Sequence, residues 1–243
     1  MVELLVVIAV VSMLLALLMP GLGRAKAAAL KLMCAANERE LGIGFMLYSE
    51  DNSANLPESH FQNTGQLAEM SAVTTGDLVD SEDRGRTGRF DGLGLLWKWR
   101  YIDSPGCLHC PANRHRHTRD ANEAVYAGRG DSPMAAYCNY HYTGHLTWDS
   151  VREDSSEGRK RSRVRRSMIG KRFVLSSDSL RSREDYSHGN GVNLLFSDGS
   201  VEWAAPDPRV IEQMPLEGSI IEDTNFSNLD WITAAWDQLE IDG

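Results

Sequence analysis

Two short runs in this chain concentrate side chains that bind metals, carry thiols or move protons. The first is Cys107-Leu108-His109-Cys110, with His115 and His117 just beyond it. The second is His188-Gly189-Asn190-Gly191, which leads on to Asp198-Gly199. Two more cysteines, Cys34 and Cys138, lie far from both runs. Thiolate and imidazole at this density suit zinc, which takes them in tetrahedral sets. A second cysteine pair at matching spacing is lacking, so Cys107 and Cys110 form an isolated half-site. Pro111 stands where a c-type haem attachment needs histidine. An even number of cysteines in an exported chain favours disulfides instead, and four cysteines allow three pairings. Disulfides are therefore expected, with zinc or free thiols as the alternatives. His188, followed by Gly189 and Gly191, can hold a loop, ligate a metal or serve catalysis. Gly189 and Gly191 supply unusual backbone angles, so the expected role of His188 is to hydrogen-bond a loop in place. No Ser/His/Asp spacing and no paired carboxylates accompany it. No nucleophile is assigned, and neither an enzyme nor a cofactor is expected.

Charge adds two weaker signals. Arg159, Lys160, Arg161, Arg163, Arg165 and Arg166 form one dense basic run, RKRSRVRR, after an acidic stretch. Such a run can bind a polyanion. The expectation is a solvated loop, or a contact with an acidic face of a neighbouring subunit. The net charge of −9 argues against general nucleic-acid binding, which needs a basic footprint. Glu50–Asn55, EDNSAN, is rich in oxygen ligands but lacks the EF-hand pattern.

The elements that must position these groups begin with the apolar run MVELLVVIAVVSMLLALLMPGL, broken only by Glu3. About 20 apolar residues span the hydrocarbon core of a bilayer as a helix. No basic segment precedes the run and no small-residue cleavage site follows it, so it differs from a cleavable signal. The following residues continue as a good helix former, in which Leu30, Met33, Leu41, Phe45 and Tyr48 can form an apolar stripe. One helix of about 48 residues, roughly 70 Å long, is expected, kinked or locally melted at Pro20, Gly21 and Gly23. After residue 50, glycine, serine, asparagine and aspartate dominate, which predicts short strands and long loops. Residues 171–177 read as a strand. Val192–Phe196 and 200–203 flank Asp198-Gly199 as a hairpin near 192–203. Trp231, Ile232 and Trp236 predict a short docked helix near the end.

The segment VELLVVIAVV, with Glu3 and Pro20, resembles the N-terminus of type IV pilin-like proteins, in which a glutamate and a helix-kinking proline hold these places. SHGNGVNLLFSDGSVEW is similar to the H-x-G-x-x-N-x-L-F-x-D-G signature of prepilin-like proteins abundant in Planctomycetes, Verrucomicrobia and Lentisphaerae. The likeness covers residues 1–57 and a stretch near 173–203. In the family a leader peptide and two mature residues precede the position matched by Met1. Cleavage by prepilin peptidase and N-methylation are what the resemblance implies. Arg24, Lys26 and Lys31 follow the span and by charge count favour the opposite orientation; the motif favours a head outside.

The resemblance implies an α+β, type IV pilin-like fold: a long kinked N-terminal helix packed on a small antiparallel-sheet head with long loops. Residues 1–22 form the transmembrane or filament-core part, 23–50 the amphipathic half, and 51–243 the head. It implies a structural subunit of an extracellular type IV pilus-like filament, held in the inner membrane before assembly. Its partners are copies of itself, the inner-membrane assembly machinery and prepilin peptidase, with no specific nucleic acid. Leu4, Leu5, Val6, Val7 and Ile8 would pack against neighbours, and Glu3 would meet the terminal amine of an adjacent subunit. A Cys34–Cys110 disulfide, leaving Cys107–Cys138, also comes from the family, as does calcium in related heads. The alternatives are a pseudopilin of type II secretion, a membrane-anchored periplasmic binding or enzymatic domain, and an adhesin or DNA-uptake pilin using the run at 159–166.

Overall fold

A 50-residue helix, α1 (Val2–Asp51), dominates the computed structural model. The structure describes residues 2–57, 59–60, 72–74, 90–115, 117–127, 135–142, 161–162, 172–179, 182–183, 185–206 and 208–213. At 1.5 Å per residue α1 is about 75 Å long. It runs without a break through Pro20, Gly21 and Gly23. The expected local melting is not seen: proline removes one amide from the ladder, and the bonds on either side carry the helix on.

The first 28 residues from Val2 are exposed, and the second half of α1 is partly buried. The buried face is Cys34, Glu38, Leu41, Gly42, Phe45, Tyr48 and Ser49, joined by Gly44. These recur at three- and four-residue steps, the period of one helix face. Leu41, Phe45 and Tyr48 fall on the expected stripe. Met33 does not; it is exposed, and Cys34 takes its place. The helix closes by its own polar residues. Asn52 Nδ2 donates to the Tyr48 carbonyl at 2.8 Å, and Asn55 Nδ2 to that of Asn52 at 2.7 Å. Asp51 accepts from the Tyr101 hydroxyl at 2.9 Å. These groups, noted from sequence as oxygen-rich, terminate and dock the helix.

The strands are β1 (Ser59–His60), β2 (Ala72–Thr74), β3 (Ala136–Tyr137), β4 (Tyr140–Tyr142), β5 (Arg161–Ser162), β6 (Val174–Asp178), β7 (Val192–Phe196) and β8 (Val201–Ala204). Helices α2 (Gly94–Lys98), α3 (Glu123–Ala127) and α4 (Pro208–Gln213) are short. A four-stranded antiparallel sheet runs β4-β6-β7-β8, and β1-β5 and β2-β3 form two small pairs. The architecture is α+β. The expected hairpin is β7–β8, with Gly199 at φ +84° and Ser200 N donating to Asp198 Oδ1 at 2.8 Å. The strand expected over 171–177 starts three residues later and ends at Asp178.

The core lies between the second half of α1 and this sheet. Phe45 stacks on Tyr142 with ring centroids 4.9 Å apart. A Cβ on Gly42 would sit 2.9 Å from Leu195 Cδ1, so glycine lets α1 lie close on β7. Of the basic run, Arg161 falls in β5, paired with His60. Arg159, Lys160, Arg163, Arg165 and Arg166 lie outside the described residues, as do Trp231, Ile232 and Trp236.

Candidate metal centre

Four elements bring four ligand-type side chains to one buried point. Cys34 comes from α1. Cys110 follows the 3₁₀ turn Pro105–Leu108, Asp178 ends β6, and His188 sits in the loop before β7. One ligand atom from each lies within 4.8 Å of the other three. Cys110 Sγ is 3.5 Å from His188 Nε2, and Asp178 Oδ2 is 3.6 Å from the same nitrogen. Cys34 is fully buried, Cys110 and Asp178 are 4% and 2% exposed, and the His188 side chain is 5% exposed.

Local structure explains the convergence. Cys34 faces inward on the buried stripe of α1. The 3₁₀ turn ends at Leu108, and His109 is extended at φ −124°, ψ 127°, so Cys107 and Cys110 are separated by a change of backbone direction. Asn139 fixes the segment: its Oδ1 accepts from Cys110 N at 3.1 Å, and its own N donates to the Leu108 carbonyl at 3.1 Å. Residues two apart on a strand share a face. Ser176 and Asp178 of β6 accordingly reach two residues of α1: Ser176 Oγ donates to Glu38 Oε1 at 3.4 Å, and Asp178 joins Cys34. Asp178 Oδ2 also accepts from Asn193 N and Nδ2 at 2.6 and 2.9 Å, which leaves Oδ1 buried without a hydrogen-bond partner.

The His188 loop is held on two sides. Gly189 takes φ +73°, a left-handed value. Gly191 does not; its role is close approach, because a Cβ there would lie 2.3 Å from Trp203 Cζ2. Trp203 meets the His188 ring edge-on at 5.7 Å, and Lys31 Nζ lies 3.4 Å over the Trp203 ring. His188 thus holds its loop against a thiol and a carboxylate. It also lines a cleft of about 540 Å³ beside Lys31 and Ala112–His115.

The cluster is electrostatically tense. The hydrogen bond from Cys34 pulls the Cys110 thiol down to about 5, aided by His188, while burial pushes Cys34 well up. Burial pushes Asp178 up to about 6. Burial would lower His188, but the Cys110 hydrogen bond and the Asp178 charge outweigh it and raise it. Glu38 is fully buried four residues after Cys34. Its carboxyl is held well above the usual range by burial and then by the Asp178 charge, and Oε2 has no hydrogen-bond partner.

The two cysteines of the Cys107–Cys110 run diverge. Cys107 Sγ donates to the Ser104 carbonyl at 3.1 Å, and Cys138 Sγ to the Tyr140 carbonyl at 3.2 Å. His109 bonds the His117 carbonyl at 2.9 Å and the Tyr126 hydroxyl at 2.7 Å. The run is thus no zinc half-site: only Cys110 enters the cluster. The four cysteines are unbridged in this structure. The family-implied partners Cys34 and Cys110 are neighbours nonetheless, sharing one small volume with Asp178 and His188. Sequence reasoning missed Asp178 and Glu38. The spacing Cys34–Glu38, one helical turn, and a carboxylate at the end of a strand were the available signals.

A cysteine–histidine–aspartate set also invites comparison with a catalytic relay. A relay needs the thiol on one ring nitrogen and the carboxylate on the other. Here Cys110 and Asp178 both approach Nε2, the convergence of ligands on one point. No protein-family model matches the chain, and no curated protein or solved structure matches it.

Proposed function

We propose that this chain is a structural subunit of a type IV pilus-like extracellular filament, anchored in the inner membrane before assembly and assembling through the first half of α1. One observation carries the reading. The apolar residues of that half, Leu4, Leu5, Val6, Val7 and Ile8 among them, are exposed, up to 77% at Val2. The helix is long and apolar enough to cross a membrane, and none of its most apolar window is buried by the chain itself. A continuous apolar surface of this size needs cover from lipid or from other helices. A helix apolar on all sides suits both.

Glu3 interrupts that surface near its start and is exposed. Buried in lipid or in a helix bundle, an unpaired carboxylate costs several kcal/mol. A terminal amine on a neighbouring copy removes that cost at one register, which is the role the pilin-like motif gives this glutamate. Assembly then rests on apolar burial and one charge pair, with no chemical step.

The test is filament formation by Glu3→Ala. Wild-type cells should shed surface filaments that contain this chain, seen by negative-stain microscopy and identified by mass spectrometry. Glu3→Ala should stay in the membrane fraction and yield no filaments. Normal filaments from the variant would remove Glu3 from assembly. Wild-type chain in the membrane without any filament would favour an anchored single-copy domain.

A further inference from the structure

We propose that Cys34, Cys110, Asp178 and His188 bind one zinc ion, and that the ion ties α1 to the sheet of the head. The inference concerns the second half of α1 and the head, and does not depend on what the first half of α1 does.

Geometry comes first. With Zn–S near 2.3 Å and Zn–N or Zn–O near 2.0–2.2 Å, tetrahedral ligand atoms stand roughly 3.3–3.8 Å apart. The Cys110–His188 and His188–Asp178 distances are 3.5 and 3.6 Å, and no pair of the four exceeds 4.8 Å. Small side-chain rotations therefore close the set around one centre. The group is the one cluster of this kind among the described residues.

Donor type selects the metal. Two thiolates, an imidazole and a carboxylate make a mixed soft and borderline set, suited to zinc. Calcium needs six to eight oxygens, and iron–sulfur clusters take cysteine at nearly every position. Four protein ligands, all buried, leave no open position, which is the form of a structural site and not a catalytic one.

The surroundings fit an ion as well. With zinc bound, two thiolates and a carboxylate would carry three negative charges in a buried space, and the divalent cation offsets two of them. Buried charges without such compensation are costly. The carboxylate is oriented by both nitrogens of Asn193, the outer-shell support that ligating groups usually have. Tyr140 adds a hydroxyl 3.3 Å from Cys34 Sγ. The cleft beside His188 brings solvent up to one of the four ligands. A Cys34–Cys110 disulfide would use the two sulfurs but leave Asp178 Oδ1 buried without a partner.

The experiment uses the full chain in detergent, purified with reductant and without chelator. Elemental analysis should give one zinc per chain. Cys34→Ser, Cys110→Ser and His188→Ala should each fall to background, whereas Cys107→Ser and Cys138→Ser, whose thiols bond backbone carbonyls, should keep the metal. Because a ligand variant can fail by misfolding, wild-type protein supplies the second measurement. Chelation should lower its melting temperature, and zinc chloride, but not calcium chloride, should restore it. Cobalt chloride added to the chelated protein should give thiolate-to-metal charge-transfer absorption. Absence of zinc together with no response to zinc chloride would overturn the proposal. So would a Cys34–Cys110 disulfide in peptide maps of protein isolated without reductant, or equal metal loss in Cys107→Ser.

Discussion

The two halves of α1 are one continuous helix with opposite surroundings. The first half carries one acid, Glu3, on an exposed apolar rod. The second half also carries an acid on its defining face, Glu38, and that one is fully buried beside Cys34 and Asp178. Among the described residues the first half is exposed along its whole length, and the proposed function covers it with lipid or with another molecule. The second half is satisfied within the chain by Leu195, Tyr142, Tyr140 and the thiol–imidazole–carboxylate cluster. The same secondary structure thus serves an external interface at one end and an internal anchor at the other. The boundary falls near Leu30, where the first partly buried residue appears.

If that division is right, substitutions on the anchoring half should change the stability of the head, and those on the rod should not. Phe45→Ala should have the largest effect. Phe45 is 1% exposed and stacked on Tyr142. Truncating a buried phenylalanine costs about 3–5 kcal/mol through lost transfer energy and the cavity left behind. Denaturant unfolding of the detergent-solubilised chain, followed by tryptophan fluorescence, measures it. An unchanged midpoint would mean that the head does not rest on α1.

Gly191→Ala should rank next. Its new Cβ would meet Trp203 at 2.3 Å and the Ala204 carbonyl oxygen at 2.7 Å. One obstacle is a ring that can shift and the other is backbone that moves less readily, so about 1–3 kcal/mol is expected. The loop that carries His188 must give way, so the same variant should also weaken zinc retention on dialysis against chelator. A loss of stability with metal retention unchanged would separate the loop from the ligand site.

This ordering also explains what was legible in the sequence. The long helix and the β7–β8 hairpin rest on local rules, an apolar run and an Asp-Gly turn, and both could be read directly. The inward face of α1 was harder. Met33 and Cys34 are adjacent, and hydrophobicity chose the methionine, while the fold buries the smaller thiol because a sulfur, a carboxylate and an imidazole wait opposite. The cluster itself was hidden by distance along the chain. Cys110 and His188 are 78 positions apart, and only the anchoring of the Cys110 segment on Asn139, the pairing of β6 with β7 and the seating of α1 bring the four side chains together. Cys107 drew attention because it is near Cys110 in sequence. The change of direction at His109 sends its thiol to a backbone carbonyl instead.

The smallest effect is the most telling for the division. Leu14 is 55% exposed in the rod, and its side chain has the same chemistry as Leu41 in the anchor. Leu41→Ala would open a cavity; Leu14→Ala removes atoms from a stretch that is exposed throughout. In detergent the unfolding midpoint of Leu14→Ala should match wild type within about 0.5 kcal/mol, the range of substitutions away from packed features. Sheared filaments are the contrasting measurement. There Leu14 would be covered by neighbouring helices, and its loss should lower the temperature or detergent concentration at which filaments dissociate. A midpoint shift in the isolated chain would show that the head reaches back over the rod. No change in either measurement would leave Leu14 without a neighbour even in the filament, and would place the packing surface on another face of the helix.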